Sequence, residues 1–316
     1  MGVTLRRQAE RRIASQGAFV TLCLFWAIGS LRSDLIPNFT GENIPQLARQ
    51  SIPFAMMAIL AAAFAAIRRF PWPRTVLLRW SFVAGIGMFA VPALLAHFTR
   101  AWLSDLTRLA LFSLTPAFAV VLEPFIVDDD EQQGKGGLMA SLCALVGTLL
   151  FIPVEIPGSL PAAIAFCAAV LAAACVAAAN CLAVRTAMRM ETQTIAPMAA
   201  IAAGAAALVL ILFSGWTEHS TWEWRALGPD LAWSAAFDVP GLLLLFWLMR
   251  RMSAARMTTR FVLTPLFASL IALPFLRPSV TLRAGLGLFL MAAGAGWLLF
   301  GPDDEQSKSL PLDLDR

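Results

Sequence analysis

Runs of about twenty mostly apolar residues recur along the chain between short breaks bearing Pro, Gly or Arg, and no other feature constrains the fold as strongly. A bilayer core about 30 Å thick is crossed by roughly 20 helical residues. The spacing predicts crossing helices near 18–36, 51–67, 79–97, 106–126, 137–153, 161–183, 195–214, 231–249, 260–276 and 284–300. With 59% hydrophobic and 14% charged residues, a 316-residue chain holds more apolar surface than a water-soluble core of that size hides. The expected class is an all-α membrane protein of ten transmembrane helices.

The basic residues fall in short loops rather than in one stripe, so the excess of +4 implies no nucleic acid. Cationic loops stay in the cytoplasm, and an inside amino terminus puts 17 of the 24 Lys and Arg on that side. Both termini are then cytoplasmic. Arg6, Arg7, Arg11 and Arg12 ahead of the first apolar run imitate a signal peptide, but no small-x-small site follows and an uncleaved helix is expected. Cys23, Cys143, Cys167, Cys175 and Cys181 lie inside apolar runs without metal-site or disulfide spacing. With two histidines, no tyrosine and no HExxH, GxSxG, Walker or Rossmann pattern, no catalytic residue, metal or cofactor is expected, and an ATP-driven pump is disfavoured.

Laid on itself at an offset of 149, the chain matches Phe112–Pro153 with Phe261–Pro302 without a gap, at 13 identities in 42 positions. Thr115, Pro116, Gly136 and Gly147 recur as Thr264, Pro265, Gly285 and Gly296, matches that hydrophobicity alone would not select. The expected units are therefore 1–153 and 154–302, followed by a polar tail over 303–316. Five helices per unit is an odd number, so the second copy enters the membrane inverted, the recurrent plan of secondary transporters.

The proline-centred segments LTPAFAVVLEPF and LTPLFASLIALPF, each followed by a glycine-bearing one, GGLMASLCALVGTLLF and AGLGLFLMAAGAGWLLF, resemble the drug/metabolite transporter superfamily and its EamA-like 10-helix exporters. The resemblance runs nearly end to end. It implies efflux of a small metabolite, amino acid or amphipathic solute across a bacterial inner membrane, with protons as a candidate coupling ion. Family members often carry an acidic residue between the two segments; Asp128, Asp129, Asp130 and Glu131 fill that place in the first half, whereas the second has Arg277 and Pro278. A membrane-embedded binding or scaffold protein that moves nothing is the alternative.

An ionisable group at mid-bilayer needs a partner, a wet cavity or a task. Asp238, flanked by Trp233, Phe237, Pro240 and Gly241, is such a group: it either binds a cation or proton in a cavity or fixes helix packing by a buried hydrogen bond. Asn180, in an alanine run, suits an interhelical hydrogen bond. Arg108 and Arg260 open their helices from opposite sides; they either snorkel to headgroups or gate an anionic solute. Glu123 is expected at the membrane interface. Pro116 and Pro265 are hinge candidates, with Thr115 and Thr264 placed to satisfy the carbonyls that proline frees. Trp26, Phe89 and Trp233 fall deep in helices that, in the resembling family, help to line a central cavity; lipid-facing packing is the other reading.

Overall fold

The computed structural model describes residues 2–31, 45–127, 135–218, 227–276 and 281–301. It is all-helical, with no strand among the described residues. In chain order the helices are α1 (Gly2–Ser30), α2 (Gln46–Ile67), α3 (Thr75–Thr99), α4 (Asp105–Ile126), α5 (Lys135–Phe151), α6 (Leu160–Met188), α7 (Ile195–Thr217), α8 (Leu227–Leu248), α9 (Arg260–Leu276) and α10 (Leu282–Phe300). Eight are long and apolar enough to cross a membrane, whereas α5 and α9 span 17 residues each. The acidic loop from Asp128 to Glu131, Arg277 with Pro278, and the tail lie outside the described residues.

Helix starts follow local chemistry. The hydroxyls of Ser104, Ser159 and Thr281 accept from the backbone N–H three residues on, at Thr107, Ala162 and Ala284, satisfying donors that a helix leaves open. Large apolar side chains such as Ile59, Leu171, Leu212 and Phe289 stay outward, the surface that lipid covers. Inside, small residues dominate. A Cβ on Gly85 would run into the backbone of Ala202, and one on Gly87 into Ala179, so α3 lies almost backbone to backbone between α7 and α6.

The most extensive packing joins α2 to α7 and α5 to α10. α1 lies on α8 and α9, α6 lies on α3 and α4, α8 touches α2, and α3 touches α7. Phe112 of α4 stacks on Phe261 of α9, ring centroids 6.2 Å apart at 23°.

Two helices contain a wide turn just before a proline. In α3 it covers Ile86–Ala90, closed by the Val91 N–H donating to the Ile86 carbonyl, and Pro92 follows. In α8 it covers Ser234–Asp238, closed by Val239 on Ser234, and Pro240 follows. A proline ring clashes with the carbonyl four residues earlier; widening the preceding turn makes room while keeping the backbone bonded.

Several expected boundaries shift. The first helix begins far earlier than residue 18 and ends at Ser30, and α6 continues to Met188 rather than 183. The expected continuous helix over 106–126 is broken at Ser113 and Leu114, so Pro116 sits in the first turn of its second piece, Thr115–Ile126. Thr115 donates to the Phe112 carbonyl at 2.6 Å, as expected. Its mate does not: Pro265 lies within unbroken α9, and no hydrogen bond joins the Thr264 hydroxyl to a backbone carbonyl among the described residues.

Candidate functional site

A cavity of about 400 Å³ opens between α1, α2, α3, α8 and α9. α1 contributes Trp26; α2 contributes Arg49, Gln50 and Phe54; α3 contributes Phe89 and Pro92 from its wide turn and proline. α8 supplies Ser234 and Asp238, the two ends of its own wide turn, and α9 supplies Arg260 and Phe261. Extra-wide turns rotate the following side chains off the ordinary helical register. Here both turns sit at the cavity wall.

Four residues singled out by sequence, Asp238, Arg260, Trp26 and Phe89, thus share one cavity. Asn180 stands behind it: its Oδ1 accepts from Arg260 Nη2 at 2.9 Å, and its Nδ2 donates to the Val176 carbonyl at 2.7 Å. The interhelical hydrogen bond expected of Asn180 is made, with Arg260 as partner. Arg260 departs from the snorkelling expectation, being only 2% exposed, with Nη1 on the Met257 carbonyl at 2.9 Å and its guanidinium 5.4 Å from the Trp26 ring and 4.8 Å from that of Phe261. Buried at the start of α9 beneath two aromatic faces, it is held inside the protein.

The remaining candidates fall elsewhere. Arg108 is buried, donates to the Leu103 carbonyl at 3.1 Å and pairs with Asp105, a local arrangement at the start of α4 away from the cavity. Trp233 packs at a tilt on Phe237, ring centroids 4.6 Å apart, and is not part of the wall; its buried indole N–H has no hydrogen-bond partner among the described residues. Thr115, Pro116, Thr264 and Pro265 are likewise outside the lining.

Two glycines, Gly29 and the Gly241 that sequence reading named only as a flank of Asp238, make room for the wall residues. A Cβ on Gly241 would lie 2.6 Å from the Trp26 indole nitrogen, and one on Gly29 would lie 3.1 Å from Asp238 Oδ1. Trp26 with Gly29 on α1, and Asp238 with Gly241 on α8, are each three residues apart, so each helix presents one large side chain and one gap to the other. Arg49, Gln50, Phe54 and Phe261 were also missed. Arg49 and Gln50 precede the apolar run of α2 and read as rim; the signal available was a polar pair one turn before Pro53 and Phe54.

Glu123 is buried rather than interfacial. Its carboxylate accepts from the backbone N–H of Ala254 at 2.7 Å and of Ala255 at 3.3 Å, the first turn of the short helix Ala254–Thr258 that precedes α9. A carboxylate there satisfies open donors and meets the positive end of the helix dipole. Glu123→Ala is expected to cost about 2 kcal/mol, read as a lower melting temperature of detergent-purified protein; an unchanged melting temperature would contradict the capping role. On the opposite half, Glu218 accepts from Leu47 N–H at 3.2 Å and from Ser214 Oγ at 2.7 Å, with His97 Nδ1 3.7 Å away.

The model of the EamA-like transporter family matches residues 163–300. That match places residues 163–300 of the chain in the drug/metabolite transporter superfamily. The apolar helices and that match support a multi-pass membrane protein, and members of the matched family are transporters, not enzymes. A solved structure described as "Crystal structure of protein" is similar at TM-score 0.70 and 17% identity, over 91% of this chain and 98% of that one. At that identity the likeness shows a common fold. No curated protein sequence matches the chain.

Proposed function

We propose that this superfamily member is a secondary-active exporter of a small metabolite, amino acid or amphipathic solute, working by alternating access. The reading takes the chain as ten spans in two inverted five-helix repeats, 1–153 and 154–302, with both termini in the cytoplasm of a bacterial inner membrane. The observation that carries it is the cavity, whose walls come from α1, α2 and α3 of one half and α8 and α9 of the other. A pocket so divided changes its exposure when the two halves rock.

The packing supports the repeat. Exchanging each helix for the one five places on turns α1 on α8 into α6 on α3, α1 on α9 into α6 on α4, and α2 on α8 into α7 on α3, all of which occur, while α2 with α7 and α5 with α10 map onto themselves. Phe112 and Phe261 are repeat mates, and mates touch only close to the axis that relates them. The two wide turns, each followed by Val-Pro, occupy corresponding helices.

Asp238 is the coupling candidate. Transport by Asp238→Asn in proteoliposomes is expected to fall at least tenfold and to lose its dependence on pH between about 5 and 8, because an amide cannot exchange a proton in that range. Full transport by the variant across that range would remove the role. Counterflow against a library of amino acids, cations and nucleosides tests transport itself. Uniform failure with a folded sample would favour the scaffold alternative.

A further inference from the structure

We infer that the solute accepted by this cavity is an amphipathic monoanion, its acid group bound by Arg260 and its flat apolar body held among the aromatic walls. The inference rests on the transporter reading. Its first support is charge: of the charged side chains lining the cavity, Arg49 and Arg260 are positive and Asp238 is negative, leaving one positive charge in excess.

The second support is the state of Arg260. Its two terminal nitrogens donate to neutral oxygens, those of Asn180 and Met257, and its Nε–H is buried with no acceptor. No ion pair to Arg260 is formed among the described residues. A guanidinium taken out of water is stabilised by an anion far better than by neutral oxygens, and a cavity-lining one with an unfilled donor is built to receive that anion. Asn180 cannot swing away to fill the donor, since its amide nitrogen is tied to Val176 on the same helix. Gln50, on the same wall, has a buried Oε1 without a partner among the described residues, an acceptor for a hydroxyl or N–H of the same solute.

The walls select the body. Trp26 and Phe261 cover the guanidinium at 5.4 and 4.8 Å, and Phe54 packs on Phe89 at 4.9 Å. A volume of about 400 Å³ is at the small end of ligand cavities. A planar aromatic carboxylate fits both surfaces.

Indole-3-acetate, indole-3-acetamide and tryptamine share one body and differ in charge. Binding of each to the full chain in nanodiscs, by titration calorimetry, should rank the carboxylate at least tenfold above the amide, with the amine weakest. Arg260→Lys should shrink that preference to a few-fold and Arg260→Gln should erase it. If Arg260→Gln fails to fold because Asn180 loses its partner, the wild-type ranking and Arg260→Lys still decide. A preference for the amine, equal binding of all three, or binding of none would overturn the assignment. Labelling of Ala93→Cys in a cysteine-free background, by an impermeant maleimide from each side in turn, separates the two readings. Labelling from both sides upholds alternating access whatever the ranking, and labelling from one side removes the transporter reading while leaving the ranking to stand.

Discussion

Gly147→Val is expected to abolish folded protein, while Gly296→Val at the matching position of the sequence repeat leaves yield and melting temperature unchanged. A Cβ on Gly147 would sit 2.8 Å from the Gly287 carbonyl oxygen and 2.9 Å from the Leu290 carbonyl carbon, and would strike the Met291 nitrogen. All three are backbone atoms of α10, which no rotamer change can move. Gly287 and Gly294 meet α5 in the same way, against Phe151 and Gly147 and against Ala144 and Ala140, so relief at one point tightens the next. Between helices in lipid no hydrophobic effect compensates, because the tails are as apolar as the partner. The cost belongs at or above the top of the about 1–3 kcal/mol usual for overpacking. Gly296 has open space around its Cβ position. Fluorescence-detected size exclusion of the two variants decides the matter; a monodisperse Gly147→Val peak at wild-type yield would contradict the backbone contact of α5 and α10.

Gly241→Leu is expected to leave a folded protein that transports at least tenfold less. The new side chain occupies the space of the Trp26 indole, whose nitrogen would be 2.6 Å and whose Cδ1 2.9 Å from the added Cβ. The obstacle is a side chain at the cavity wall rather than backbone, so the indole turns aside, and the cavity lies in its path. Removing the ring should restore passage: Trp26→Ala with Gly241→Leu should transport better than Gly241→Leu alone, the sign of direct coupling between neighbours. Proteoliposome uptake of the three variants measures this. Wild-type transport by the single variant, or a double variant no better than the single, would sink the account.

Hydropathy made most of the fold legible because the bilayer requires long apolar helices with internally bonded backbones. It failed where side chains settle the outcome. The break at Ser113 and Leu114 lies in a run as apolar as its neighbours, and hydropathy does not register a lost backbone bond. The end of α1 at Ser30 was placed too late because Leu31, Leu35 and Ile36 keep the window apolar. At the cavity, Asp238 was conspicuous as an isolated charge in an apolar span. Of the two readings of Arg260, snorkelling is the ordinary one for an arginine at a helix start, and only coordinates reveal Asn180, 80 residues earlier, holding it inward. Gly29 and Gly241 were silent for the same reason: a glycine in a membrane helix says that something comes close, not what.

Since α1 rests on the far half of the chain and α6 on the near one, each half lends its opening helix to the other, like two hands with crossed thumbs. The peptide link near 153–154 is then a tether rather than a seam. Severed there, the two pieces made in one cell should clasp and work, whereas either piece made alone would be left with an unclaimed helix and an empty berth, and quality control would clear it.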